Sequence, residues 1–439
     1  MDRPMENPKI SVANPLLRTP LSLIVDDSCP VINLTHFWIQ QRQAWKARYT
    51  PNAPFRASDG DPAKLSRVPE TIPADFAVKW GEWCGEQGIR GKFSLVPYPA
   101  GVARVDEGFP GYSRQEFEDW MRAYREIIWP NFDLTCEMIT HTHVLDLQSW
   151  AMTPAWEQYE WVDPPLEPLT DYIATAMTLL RNVGIPCEGV TSPGGFGSRQ
   201  ESAYAQATLD AAIRVNGNRR PFYFMRVNVA PDAWPDVPIW HSQKEQGIAI
   251  ASIIGCTDDW FGNWTGYDAG DPDRFITEDL QGGCLPPVLE RELPCVLVSH
   301  WPGFYFGGEE VGLRVLQEVK RRLDRYDPDG TRTRWMKTSE IGHYWMARQL
   351  SDLAVTPLGA GGWQLTVDTR FPTADFTLSV DRALVRVQVD GTDLHPVSAR
   401  RDLRADTFWV DGQRTVLAFD LRAGVTTARM WEDAGAVGV

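Results

Sequence analysis

The chain has 439 residues, 43% hydrophobic and 23% charged, and its 43 Lys and Arg against 58 Asp and Glu leave a net charge of −15. This is the profile of an ordinary folded protein, which excludes a disordered, fibrous or coiled-coil chain. The acidic balance argues against a nucleic acid or an anionic membrane as partner, and no apolar run reaches the roughly 18 residues that a membrane-spanning helix needs. At roughly 150 residues per domain the length suggests two or three domains, or a large α/β barrel with an addition. The first residues, MDRPMENPKISVANPLLRTP, carry prolines and charges where a signal peptide needs an apolar core, so a cytoplasmic protein is expected. Its 7 cysteines are dispersed without a CxxC pair and read as reduced thiols.

From Pro20 to about Leu350, short apolar runs alternate with helical stretches. Strands are expected at Leu21–Val25, Gly91–Val96, Leu134–Thr140, Cys187–Thr191, Phe222–Val227, Ile248–Ile254 and Cys295–Ser299. Helices are expected between them, at Arg114–Ile128, Leu169–Val183, Gln200–Ile213 and Gly308–Arg325. Alternation of this kind with near-continuous apolar strands predicts a parallel sheet covered by helices, and its repetition suggests closure into a barrel. After Leu350 the pattern changes. Trp363–Val367, Phe376–Val380, Leu384–Val389, Thr415–Phe419 and Thr427–Trp431 read as strands, with Asp390-Gly391 and Asp411-Gly412 as turns and no helix between them. The expected fold is α/β, with residues 1–350 forming a distorted seven-stranded β/α barrel. Residues 351–439 form a small antiparallel β-sandwich-like accessory domain. Exposed aromatics on that module would offer a surface for a homo-oligomer.

In a parallel barrel the chemistry sits at the C-terminal ends of the strands. Those ends read Asp26-Asp27, then Thr140-His141-Thr142-His143 with Asp146, then Thr191-Ser192-Pro193-Gly194-Gly195, then Thr257-Asp258-Asp259-Trp260, and last His300-Trp301-Pro302. Adjacent aspartates repel, and a cation between or beside them resolves the conflict. In an extended segment His141 and His143 face the same side, and two imidazoles with a carboxylate suit Zn²⁺ or another first-row divalent ion. Asp146 would be a third ligand or would orient a histidine. The 19 tryptophans mostly fill the core, and those in the rim loops would stack on a flat ligand such as a sugar.

The order of these motifs resembles the polysaccharide deacetylase (NodB-homology, carbohydrate esterase family 4) pattern, over roughly Pro20–Arg325. The resemblance implies a NodB-like barrel and a metal-dependent hydrolase that deacetylates a carbohydrate. It implies Asp26 as general base and His300 as general acid. Asp27 and His141 would be metal ligands, completed by His143 or Asp146. Ser192, Pro193, Gly194, Asp259, Trp260 and Trp301 would line the substrate groove. The family usually has an arginine near the position of Thr191, and its second metal histidine falls where this chain has Leu145, which cannot ligate. Two other readings stay open. One is a metal-free glycoside hydrolase pairing Asp26 or Asp27 with Asp258 or Asp259, and the other is a non-catalytic carbohydrate-binding barrel. An amidohydrolase-type barrel fits less well, because its His-x-His belongs on the first strand.

Overall fold

The computed structural model describes residues 6–30, 71–101, 104–109, 112–230, 236–262, 270–359 and 361–432. Within them the chain forms a mixed α/β structure with one large, mostly parallel sheet and further β-sheets. The strands, in chain order, begin with β1 (Ile10–Val12), β2 (Thr19–Ser28), β3 (Gly91–Leu95), β4 (Phe132–Cys136), β5 (His143–Leu145) and β6 (Met152–Trp156). They continue with β7 (Gly189–Thr191), β8 (Phe222–Val227), β9 (Ile239–Gln243), β10 (Ile248–Gly255), β11 (Cys295–His300) and β12 (Thr333–Trp335). The helices between them are α1 (Ala74–Glu86), α2 (Arg114–Arg122), α3 (Leu166–Asn182), α4 (Glu201–Asn216), α5 (Leu285–Glu290), α6 (Trp301–Tyr305), α7 (Val311–Tyr326) and α8 (Thr338–Leu350).

The large sheet runs β11-β2-β3-β4-β7-β8-β10, with every neighbour parallel, and β9 is antiparallel on the far edge. Strand β2 is buried along all 10 of its residues. That is why its sequence, Thr-Pro-Leu-Ser-Leu-Ile-Val before the two aspartates, is mainly apolar, with only small hydroxyl residues among the apolar ones, rather than regularly alternating. Between β10 and β11 there is no ladder. A backbone bond from Cys256 N to Val296 O (2.8 Å) crosses there, and Val298 N donates to Thr257 Oγ1 (2.9 Å). The helices cover the sheet with one apolar face each, as in α7, where Leu313, Leu316, Val319 and Leu323 are buried. The expected helix at Arg114–Ile128 is α2, opened by a Ser113–Glu116 capping box and continued through Ala123–Ile128 as a π-helical turn.

The C-terminal strands are β13 (Asp352–Gly359), β14 (Gly362–Thr369), β15 (Thr373–Val380), β16 (Leu384–Val389), β17 (Thr392–Asp393), β18 (His395–Val397), β19 (Thr407–Asp411), β20 (Arg414–Leu421) and β21 (Gly424–Glu432). They build two sheets, β13-β14-β21-β16-β17 and β1-β15-β20-β19-β18. The N-terminal strand β1 pairs antiparallel with β15, so both ends of the described chain meet in this module. Helix α8 joins it to the parallel sheet. Ile341, Tyr344 and Trp345 share one hydrophobic cluster with Ile24, Phe222 and Val296 on one side and Phe376, Leu378 and Phe419 on the other. Each large side chain buried there contributes about 1.5–3 kcal/mol.

One expected strand departs from prediction at the place that matters most. The sequence predicts a strand over Leu134–Thr140 with His141 and His143 in an extended continuation, but β4 ends at Cys136, and Met138 and His141 have φ of 50° and 59°. A left-handed residue breaks the two-residue alternation, so His141 and His143 do not share a face. His143 instead opens β5, half of a small hairpin with β6.

Candidate active site

The C-terminal ends of the parallel strands carry a buried polar cluster. Asp26 and Asp27 close β2, Lys92 and Ser94 lie on β3, Glu137 follows β4, Thr191 ends β7, and His300 ends β11. Strands β11 and β2 are in register, so His300 stands directly beside Asp26.

Asp26 is 3% exposed. Its carboxylate is paired with the ammonium of Lys92, which has no solvent exposure, and it accepts a bond from Ser94 Oγ at 2.6 Å. Lys92 also donates to Ser94 Oγ (3.1 Å) and to Thr191 Oγ1. A buried lysine persists only with such partners. Burial pushes the Asp26 carboxyl above its ordinary range, and Lys92 holds the rise back. Thr191 serves as one of the acceptors of this ammonium.

Asp27 turns the chain at φ 58°. Its Oδ1 lies 3.0 Å from His141 Nε2, and Glu137 Oε1 lies 3.3 Å from the same nitrogen. Glu137 Oε2 also accepts from Asp27 N at 2.8 Å. Burial works against ionisation of Asp27, but His141 and His300 outweigh it and hold the carboxyl below its usual value. For His141, burial is likewise outweighed by Asp27 and Glu137, and the imidazole is pushed well above its usual value. Glu157, directly after β6, fixes the backbone that carries that imidazole. It accepts from His141 N (2.7 Å), Thr140 N (3.0 Å) and Tyr172 OH (2.5 Å), and burial pushes its carboxyl up to about 7. The Gln158 amide reaches His141 Nδ1 at 2.9 Å.

His300 is the member of the cluster that solvent reaches, with 26% of its side chain exposed against 9% or less for Asp27, Glu137 and His141. Its Nδ1 donates to Asp259 Oδ2 at 3.0 Å, and Ser299 Oγ donates to Asp259 Oδ1 at 3.1 Å. Burial would lower the imidazole, but Asp27 and Asp259 push it up to about 10. At neutral pH the imidazole is therefore protonated, with Asp26 beside it on the neighbouring strand and Asp259 on its Nδ1.

Several expected members lie elsewhere. His143 takes its Nε2 bond from Trp156 Nε1 at 3.0 Å. Asp146 sits in an exposed turn, where its Oδ1 accepts from Gln148 N, Ser149 N and Ser149 Oγ. Neither belongs to the Asp27–Glu137–His141 group. Trp301, expected in the groove, is interior instead, packed on Phe76, Trp80 and Phe93. Trp260 is half-buried under the guanidinium of Arg274, 4.4 Å from its ring. Asp258 is exposed and caps the Asp259 amide. Ser192, Pro193 and Gly194 form a turn in which Ser192 Oγ donates to Phe196 O (2.5 Å). Gly194, at φ +49°, leaves room for Gln158, whose Oε1 would lie 2.8 Å from any Cβ placed there. Glu137, Lys92 and Glu157 were not among the expected site residues. For Glu137 the sequence does offer a signal, a side chain opposite Met138 on the strand and so toward the barrel interior, which a salt-bridged core carboxylate would share.

No family model matches the chain, and no curated protein matches it. Among solved structures it is similar to an endo-β-1,6-glucanase (12% identity, 98% of this chain and 96% of that one, TM-score 0.32). It is also similar to a glycoside hydrolase family 30 subfamily 8 xylanase from Clostridium acetobutylicum (8%, 81% and 92%, TM-score 0.23). A third is the catalytic domain of a family 30 xylanase C from Talaromyces cellulolyticus (9%, 97% and 100%, TM-score 0.24). These likenesses are too distant to fix the fold or the chemistry. None is to a deacetylase, and no family model supports one. The resemblance to polysaccharide deacetylases is therefore not upheld. The geometry gives a physical reason, since the ligand set it called for, completed by His143 or Asp146, does not assemble.

Proposed function

We propose that the protein is a hydrolase that cleaves a glycosidic bond in a carbohydrate, with the parallel sheet taken as a distorted barrel whose seam lies between β10 and β11. The observation that carries this reading is the register pairing of Asp26 with His300, which sets a carboxylate and a protonated imidazole side by side on adjacent strands. Asp26 takes a proton from water as its oxygen attacks the anomeric carbon. The bond from that carbon to the glycosidic oxygen breaks, and His300 gives its proton to the departing oxygen. Lys92 and Ser94 hold Asp26 in place, and Asp259 holds the imidazole through Nδ1, leaving Nε2 to serve the leaving group. A carboxyl raised by burial is the better base for work near neutral pH. Trp260 beside Asp259, and Trp156 on the β6 hairpin, supply half-buried indole faces of the kind that stack on sugar rings.

The test is release of new reducing ends from a panel of β-linked glucans, xylans and aryl glycosides by the purified full chain. The reading expects release by the native protein and a loss of about 10²–10⁴-fold in His300→Ala and Asp26→Asn, the usual worth of a general acid or base. Full activity in either variant removes the assigned roles. Absence of product across the panel removes the glycosidic reading.

A further inference from the structure

Asp27, Glu137 and His141 come from three separate places, namely the end of β2, the residue after β4, and the coiled segment beyond it. Each offers one ligand atom, and the three atoms lie within 4.8 Å of one another. All three residues are buried. A proton on His141 Nε2 can make one good hydrogen bond, yet two carboxylate oxygens crowd that nitrogen at 3.0 and 3.3 Å. The consequence is visible in Asp27 Oδ1, which is buried and, beyond its 3.0 Å contact with the shared His141 Nε2, has no well-formed hydrogen bond. A carboxylate oxygen so poorly satisfied is unfavourable there, because it has lost its water.

We propose that these three side chains bind a divalent cation. One cation between them would satisfy Asp27 Oδ1, Glu137 Oε1 and His141 Nε2 together, where a proton satisfies only one carboxylate. The supports that a metal site needs behind its ligands are present. Glu137 Oε2 is fixed by the Asp27 amide at 2.8 Å, and the Gln158 side chain, 2.9 Å from His141 Nδ1, would accept the Nδ1–H through its oxygen with the amide turned over. Two carboxylates and one imidazole form a mainly oxygen set that suits a first-row ion of the hardness of Mn²⁺. Three protein ligands leave coordination positions for water or a sugar hydroxyl beside Asp26. The proposal does not rest on the glycosidic reading, and the binding experiment needs no substrate, so either can fail alone.

The probe is Mn²⁺ added to the chelator-treated full chain, followed by loss of the free-ion EPR signal. One equivalent should bind. Glu137→Gln and His141→Gln should weaken binding at least about 10-fold, the lower end of what losing even an outer partner costs. His143→Ala and Asp146→Asn, which stand outside the group, should bind as the native chain does. Pulsed EPR of Mn²⁺ on the native chain should show coupling to an imidazole nitrogen, a readout that no variant's folding can disturb. Absence of binding, absence of nitrogen coupling, or undiminished affinity in folded Glu137→Gln and His141→Gln would overturn the proposal.

Discussion

Lys92→Met is the sharpest perturbation of the site's foundation. Methionine keeps the unbranched stem within the core and removes the ammonium. In the native chain that ammonium has no solvent exposure and the Asp26 side chain only 5%. After the change Asp26 retains one donor, Ser94 Oγ at 2.6 Å, and Thr191 Oγ1 loses the lysine as its donor. Removing one partner of a buried pair costs about 3–5 kcal/mol, because the survivor is left desolvated and unpaired. Removing both is often neutral, since the gain from pairing barely exceeds the cost of dehydrating two ions. Lys92→Met alone should therefore lose about 3–5 kcal/mol, and Lys92→Met with Asp26→Leu should return to within about 1–2 kcal/mol of native. Asp26→Leu alone strands the buried ammonium and should lose a similar amount, so the two single changes sum to about 6–10 kcal/mol and the coupling between the positions is at least about 4 kcal/mol. Urea unfolding followed by far-ultraviolet circular dichroism and by tryptophan fluorescence measures it, provided the two transitions coincide. A single variant within 1 kcal/mol of native would refute the reasoning. So would a double variant that loses as much as the sum of the two single changes.

The remaining predictions concern pH and the loop that supports the imidazole. Asp259→Asn removes one of the carboxylates that raise His300, so the alkaline limb of the activity profile, where the acid loses its proton, should move to lower pH. An unmoved limb would show that another group sets it. Asp133 is 1% exposed and accepts from Ser339 N (2.6 Å) and Oγ (2.8 Å) at the start of α8, and burial pushes its carboxyl from 3.8 up to about 7. The folded state therefore holds a proton that the unfolded state has released, and stability should fall as pH rises from about 4 to about 7, by roughly 4 kcal/mol at 1.36 kcal/mol per pH unit. Urea midpoints across that range should slope downward in the native chain and distinctly less in Asp133→Asn. Gly194→Ala forces a side chain into φ +49° and against Gln158 Oε1, which should cost about 1–2 kcal/mol and lower turnover by displacing the amide from His141. A variant as active and as stable as native would separate that turn from the site.

The parallel strands were legible in the sequence because burial on both faces forces unbroken apolar runs, as in Leu21–Val25 and Cys295–Ser299. The sandwich strands were legible by alternation and by Asp-Gly turns. Strand β1 was not. Ile10-Ser-Val12 is too short to show a period, and its partner Val380 lies at the other end of the chain. Among the rim residues, the aspartates and His300 could be located because strand ends follow directly from strand positions. His143 and Asp146 were misplaced because the segment from Glu137 to Thr142 was read as extended.

The residues that sequence reasoning overlooked share a cause. Lys92 is the second residue of β3 and Glu137 the first position beyond β4, where a charge reads as a minor interruption of the pattern. Each acquires meaning only from a partner far away in sequence, Asp26 for Lys92 and Asp27 for Glu137, brought close by sheet register. The left-handed backbone at Asp27 and His141 has no composition signal, because neither residue is glycine. Such conformations cost about 1–3 kcal/mol each and survive only where surrounding contacts over-determine them. At His141 those contacts are the Glu157 carboxylate on its amide and the Gln158 side chain on its ring. Strain held in this way aims Nε2 at two carboxylates rather than away from them, so the loop spends stability to create the crowding on which the cation proposal is built. A relaxed, extended segment would have sent the same histidine to the opposite face.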